Sequence, residues 1–378
     1  MSGRTNSNSL KAFIALVQAG LWEQEVRLAS YGKIDYTEVL RLAEEQSVVG
    51  LVAAGLEHVT DVRVPKEDVL QFVGQALQLE QSNTAMNCFI EKLIGTLRCA
   101  DVYTLLVKGQ GIAQCYGRPL WRACGDVDLL LSDNNYTQAE ELLKKEAISV
   151  EDENHYNRHL SMNIDGWTVE LHGTLRGGLW RRLDKEIDIV QDSVFYGGNV
   201  RSWINGKTTV FLPAVDEDVI FVFSHILQHY FKEGIGLRQI CDWCRLLWTY
   251  KGSIDKELLE KRIKVMGVTS EWKAFAALAV EYLGMPKEIM PFYSSSKRWK
   301  RKAKKIISFV FETGNFGHNR DYSYYEKYPY LIFKLISFGR HVKDGLEYFK
   351  VFPLDSIKVI WRGFMIGFFV ALQGKRHE

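Results

Sequence analysis

The sequence predicts a mixed α/β (α+β) protein, a small mixed sheet set between N-terminal and C-terminal helical segments. Three observations carry this. Apolar residues recur at helical spacing over roughly the first hundred positions and again after Pro213. Between those stretches, short β-rich runs alternate apolar and polar residues. Two dipeptides, Asp165-Gly166 and Asn205-Gly206, sit at the centres of alternating stretches, where a type I′ hairpin turn requires positive φ at both positions.

The elements follow in order. Asp35 opens "DYTEVLRLAEEQSVVGLVAAGLEHV" as an N-cap, with Val39, Leu40, Leu42 and Ala43 behind it at helical spacing. Pro65 starts a long segment of 3.6-residue period that runs to "TLRCA". The texture changes at "DVYTLLVKGQG", where residues 103–107 read as a strand broken at once by Gly109 and Gly111. A short helix ("GIAQCYG"), a loop ending in "RACG" and the strand "DVDLLL" come next. "NNYTQAEELLKKEAI" is a helix capped by Asn135 or Thr137. "RHLSMNIDGWTVELHG" and "VRSWINGKTTVFLP" are the two hairpins. Beyond Pro213, "DEDVIFVFSHILQHYF" and "GLRQICDWCRLLWTYK" read as helices, with more in the tail, including "KKIISFVFET" and "LDSIKVIWRGFMIGFFVALQ". The expected divisions are an N-terminal helical segment at 1–80, an α/β core at 81–212 and a C-terminal helical domain at 213–378.

Bulk properties exclude several classes. A formal net charge of +2 argues against a protein coated for nucleic acid, so any basic patch is local. Six scattered cysteines in a chain of this length suggest reduced thiols rather than a disulfide scaffold. No secretory leader is recognisable, and no window reaches the ~18 uncharged apolar residues of a spanning helix. The expectation is a soluble, cytoplasmic protein with no transmembrane segment.

The hairpin and the strand "CGDVDLLL" point to chemistry. A two-residue turn at Asp165-Gly166 sets Ile164 against Trp167, Met162 against Val169 and Ser161 against Glu170. Alternation then turns Trp167, Val169 and Leu171 to a core face and Thr168, Glu170 and His172 to a polar one, beside His159, Ser161 and Asn163. In "DVDLLL", Val127, Leu129 and Leu131 share one face and Asp126 and Asp128 the other. If the two strands are neighbours, three carboxylates converge. Carboxylates so placed repel and resist ionisation, a conflict that a hard cation such as Mg²⁺ removes. A strand ending in Lys108-Gly109 and opening a helix can cradle phosphate with backbone N–H groups and one ammonium.

Together these motifs are familiar. Strand, "KG", helix, "R-x-x-G-D-V-D-L-L", helix and a strand "V-E-L-H" resemble the uncharacterised nucleotidyltransferase family of the polymerase-β-like superfamily. That superfamily usually has Gly-Ser where this chain has Lys108-Gly109, and the Lys-Gly form is typical of the uncharacterised family. The similarity extends through "SHILQHYFKEGIGLRQICDWCRLL" and "TGNFGHNR", over roughly residues 80 to 320. The resemblance implies a nucleotidyltransferase core in which Asp126, Asp128 and Glu170 are catalytic and hold Mg²⁺, two ions being expected. Lys108, Gly109, Arg122 and Gly125 are implied as nucleotide-binding. The implied reaction is attack of an acceptor hydroxyl on the α-phosphorus of a nucleoside triphosphate such as ATP, with release of pyrophosphate. The alternatives are a non-catalytic nucleotide-binding scaffold or regulatory module, and a transferase acting on RNA or protein. The intact acidic triad disfavours the scaffold.

Other constellations surround this one. His172, His229, Lys232, Arg238 and Asp242 are expected to flank the cleft and hold nucleotide or acceptor, with bonding between helices an equal alternative for the helical residues. His225 and His229, one turn apart, with Cys241 and Cys244 could bind zinc, though cysteines at that spacing belong more often to packing. "SKRWKRKAKK" concentrates seven basic residues round Trp299. They are too crowded to share one face, so they should encircle the helix except near Trp299 and Ala303. With near-balanced charge overall, a small-molecule acceptor is preferred to RNA or protein.

Overall fold

The computed structural model describes residues 7–153, 158–317, 319, 327 and 330–372. Among these, seven strands form one mixed sheet in the order β3-β4-β5-β2-β1-β7-β6. They are β1 (Leu105–Val107), β2 (Asp126–Leu130), β3 (Ser149–Val150), β4 (His159–Ile164), β5 (Trp167–His172), β6 (Val200–Asn205) and β7 (Thr208–Pro213). The helices are α1 (Ser7–Trp22), α2 (Tyr36–Glu45), α3 (Val49–Glu57), α4 (Lys66–Cys99), α5 (Gly109–Ala113), α6 (Asp133–Leu143), α7 (Arg181–Gly197), α8 (Val215–Lys232), α9 (Leu237–Thr249), α10 (Lys256–Met266), α11 (Thr269–Leu283), α12 (Lys297–Thr313), α13 (Tyr330–Val351) and α14 (Pro353–Leu372). No helix of the described residues is long and apolar enough to cross a membrane.

Strand alternation divides the interior in two. Leu106, Val127, Leu129, Leu160, Met162, Val169 and Leu171 turn to one face, where α4 and α6 cover them with Phe89, Ile90, Leu93, Tyr136 and Leu143. Leu105, Val107 and Leu130 turn to the other, into a core built by α1–α3 and α7–α12. N-terminal and C-terminal helices thus share one interior, and α4 runs unbroken past residue 80.

The β4–β5 hairpin has the expected register, Ile164 opposite Trp167 and Ser161 opposite Glu170, with φ of +50° at Asp165 and +84° at Gly166. The second hairpin differs by one residue. Asn205 pairs with Thr208, so the turn is Gly206-Lys207. Glycine first in a two-residue turn, here at φ +57°, is the other favoured hairpin solution. Asn205 keeps strand geometry because its amide donates to the Asn87 carbonyl at 2.7 Å.

Asp35 caps α2 as expected, accepting from the Glu38 amide at 3.2 Å. The helix read as continuous to Val59 is two. The chain breaks after Gln46, with Ser47 at φ +54°, because buried Gln46 accepts from the Leu237 amide and donates to the Val310 carbonyl. At α6 the N-cap is Ser132, upstream of Asn135 and Thr137. Along α12 the basic residues surround the helix as expected. Ala303 is fully buried and Trp299 partly so, while Lys297, Arg298, Lys300, Arg301, Lys304 and Lys305 are exposed. Lys302 is half-buried, bonded to Ser270.

Candidate active site and metal centre

β2 and β5 are parallel neighbours with Asp126 beside Thr168 and Asp128 beside Glu170. Their alternation sends Asp126, Asp128 and Glu170 to one face, and ligand oxygens of the three lie within 4.8 Å of one another. β1 runs antiparallel to β2 with Val107 opposite Asp128. Lys108 therefore ends its strand above the cluster, its Nζ 2.6 Å from Asp128 Oδ1. Lys108 has φ +60° and Gly109 φ +42°, a sharp turn into α5. A Cβ at Gly109 would lie 3.3 Å from Cys124 Sγ, so the turn is tight as well as left-handed. Gly125 is the opposite case, exposed, with nothing within 4 Å of where a Cβ would be.

Two imidazoles complete the polar face. His172 Nε2 lies 2.8 Å from Asp128 Oδ1 and 3.3 Å from Glu170 Oε2. His159 Nε2 lies 3.2 Å from the same Glu170 oxygen. The charges respond to one another. Burial, then the Asp128 charge, raises the Asp126 carboxyl, against the pull of Lys108. Burial works to raise Glu170 too, but His159, His172 and Lys108 outweigh it and hold that carboxyl well below its usual range. Burial works to lower Lys108, yet Asp128, Glu170 and Asp126 raise it, so its ammonium stays charged. His172 is raised in the same way: burial lowers it, and its bonds to Asp128 and Glu170 prevail.

The facing wall is helical. Lys108, Gly109, Ile112, Arg122, Asp126 and Asp128 line one cleft with Val222, His225 and Ile226 of α8 and Arg238, Gln239 and Asp242 of α9. Arg122 forks onto Asp242, Nε at 2.9 Å from Oδ1 and Nη2 at 2.7 Å from Oδ2, both side chains buried. The Tyr116 hydroxyl donates to the same carboxylate at 2.7 Å. Arg238 Nη1 donates to the Ala123 carbonyl at 2.8 Å. Two arginine contacts thus tie the loop before β2 to α9.

Not every expected residue joins the cleft. Lys232 donates to the Gly177 carbonyl at 2.8 Å and is not among the lining residues. His229 stands one turn behind His225, their Nε2 atoms 3.0 Å apart, with Glu233 at 3.0 Å from its Nδ1. His225 is the imidazole that reaches the cleft. Burial, then His229 and Lys108, holds it well below its ordinary value, so it is neutral. Sequence reasoning weighed His225 only for zinc, although its i, i+4 relation to His229 placed both on one helix face. Cys241 and Cys244 are buried in the helical core, and among the described residues no metal-capable group includes them. Alternation sets His159 on the polar face without marking it as a site residue, and its signal is its position opposite His172.

No curated protein and no solved structure matches the chain. A family profile described as "uncharacterised nucleotidyltransferase" matches residues 32–284, a span that takes in the whole sheet, the acidic cluster and the α8–α9 wall. With two thirds of its length inside that match, the chain belongs to the uncharacterised nucleotidyltransferase family.

Proposed function

We propose that the protein moves a nucleoside monophosphate from a nucleoside triphosphate to the hydroxyl of a small molecule, with Mg²⁺ held by Asp126, Asp128 and Glu170. The observation that carries this reading is the convergence of those carboxylates beneath Lys108, with Asp126 and Asp128 opening onto the cleft. The donor set fits the ion. Three hard oxygens lie close together, and the Asp126 carboxyl is raised by burial and then by the Asp128 charge, both of which a bound dication would offset. Bound there, such ions would screen the triphosphate and favour in-line displacement at the α-phosphorus.

The remaining roles follow from the side chains. The acceptor oxygen forms a bond to the α-phosphorus and releases its hydroxyl proton to solvent, the bond to the bridging oxygen breaks, and pyrophosphate carries away the electron pair. Lys108 supplies a charged ammonium to phosphate oxygens at the strand end. Glu170, held below its usual range, is a poor proton acceptor near neutral pH. Its part is to hold and orient. Arg122 acts as a positioning residue, since its fork is engaged by Asp242. Neutral His225 and Arg238 face the sheet across the cleft, where they can contact the nucleotide or the acceptor.

The test is incubation with each labelled nucleoside triphosphate, Mg²⁺ and a small-molecule extract. The expected result is pyrophosphate release and one labelled product. No release with any triphosphate, together with no calorimetric binding of its Mg²⁺ complex, would overturn the proposal. Lys108→Ala should weaken triphosphate binding much more than binding of the bare nucleoside, and equal losses for both would remove Lys108 from the phosphate site.

The acceptor class has its own test. None of the α12 basic residues lines the cleft. Replacing Lys300, Arg301 and Lys304 by Gln should leave turnover nearly unchanged. An RNA acceptor would instead make turnover fall steeply with salt and with each charge removed.

A further inference from the structure

We infer that His159, Glu170 and His172 form a second cation position, at the outer edge of the acidic cluster, that takes a first-row transition ion such as Zn²⁺ or Mn²⁺ in preference to Mg²⁺. The inference rests on the reading of Glu170 as a ligand of the neighbouring oxygen site. Its ground is the hairpin. His159 and His172 are directly paired across β4 and β5, their ring centroids 4.8 Å apart. Both present Nε2 to one atom, Glu170 Oε2, at 3.2 and 3.3 Å. All three donors lie within 4.8 Å of one another.

The two imidazole–Glu170 separations match the edges of a coordination polyhedron. Bonds of about 2.0–2.1 Å put neighbouring ligands about 3.0 Å apart in an octahedron and about 3.4 Å apart in a tetrahedron. An ion could therefore replace the shared proton contacts with little movement of the strands. The donor chemistry then selects the ion. Imidazole nitrogen suits zinc and other first-row ions, whereas Mg²⁺ keeps to oxygen. Two imidazoles and one carboxylate are also a common protein set for zinc with an open position. The position is partly open to water, with His159, Glu170 and His172 all of intermediate exposure. Asp128 Oδ1 borders it on the inner side, 2.8 Å from His172 Nε2. Because Glu170 belongs to both groups, the two positions share a ligand, and the nitrogen-bearing one would bring a different metal to the same centre.

The competing explanation is that the histidines simply hold Glu170 by hydrogen bonds. Metal-free full-length protein, without nucleotide, separates the two. Zn²⁺ and Mg²⁺ are titrated in separate calorimetric experiments, with Mn²⁺ followed by electron paramagnetic resonance. Wild type should bind Zn²⁺, and His159→Ala should weaken that binding at least about 10-fold, a ligand being worth no less than its supporting partners. Mg²⁺ binding should survive His159→Ala and fail in Asp126→Asn, which in turn keeps Zn²⁺. Thermal unfolding checks that each variant is folded. Equal Zn²⁺ affinity in wild type and His159→Ala, or Zn²⁺ lost in Asp126→Asn instead, would overturn the inference. If Zn²⁺ binds with the expected dependence on His159 while no triphosphate is turned over or bound as its Mg²⁺ complex, the transferase reading fails and this position stands.

Discussion

Asp128→Asn should lower nucleotidyl transfer by more than about 100-fold and leave the protein folded. Partners that only support a metal ligand are worth about 10–100-fold in affinity or activity, and a ligand should exceed them. Asp128 is also the innermost carboxylate, 2% exposed, and its Oδ1 receives both Lys108 and His172. Asn keeps the shape but removes the charge, so the cluster loses its hold on a cation and Lys108 loses its anchor. The fold survives because Asp126 and Glu170 still lie close enough to offset the Lys108 ammonium. Pyrophosphate release rates, beside thermal unfolding of both proteins, measure the two halves of the expectation. A variant retaining more than about a tenth of wild-type turnover would remove Asp128 from the centre.

The second large effect is on stability. Arg122→Leu and Asp242→Leu should each cost about 3–5 kcal/mol, because each leaves a partner charged and buried alone. The fork joins residues 120 positions apart and ties the loop before β2 to α9, with Tyr116 donating to the same carboxylate. The double variant Arg122→Met with Asp242→Leu should recover much of the loss, since a buried pair gains little over well-packed apolar side chains. Urea unfolding of the four proteins gives these values. Single variants costing under about 1 kcal/mol would show that water already reaches the pair.

What the sequence could disclose was local. The Asp165-Gly166 turn and a period of two were enough to set Glu170 and His172 on the polar face and Val169 and Leu171 in the core, because both rules act within a few residues. The same rules put Asp126 and Asp128 on one face. The encirclement of α12 by basic residues followed from helix geometry alone. Failures came where a distant partner decides. Gln46 breaks the helix after α2 through Leu237 and Val310. Asn205 leaves its turn for Asn87. Arg122 lines the cleft, but its fork onto Asp242, 120 positions later, is not announced by its neighbours in sequence. Lys232 turns to Gly177, which nothing nearby in sequence announces.

The interior shared by the N-terminal and C-terminal helices sets a schedule for synthesis. Gln18 and Trp22 of α1 donate to the carbonyls of Tyr282 and Leu283, 264 and 261 residues later. Gln46 waits for Val310 across another 264. At about 5–20 residues per second, a ribosome takes roughly 13–50 s to deliver those partners. The β4–β5 hairpin and its cover can close early, being local, and α1 can pack on α3 as soon as both emerge, whereas the surface that α1 presents to α11 and that Gln46 presents to α12 waits for those later residues. The nascent chain therefore carries that remaining apolar surface uncovered through most of its translation, and the interval in which it needs protection from aggregation is set by the distance from α1 to α11.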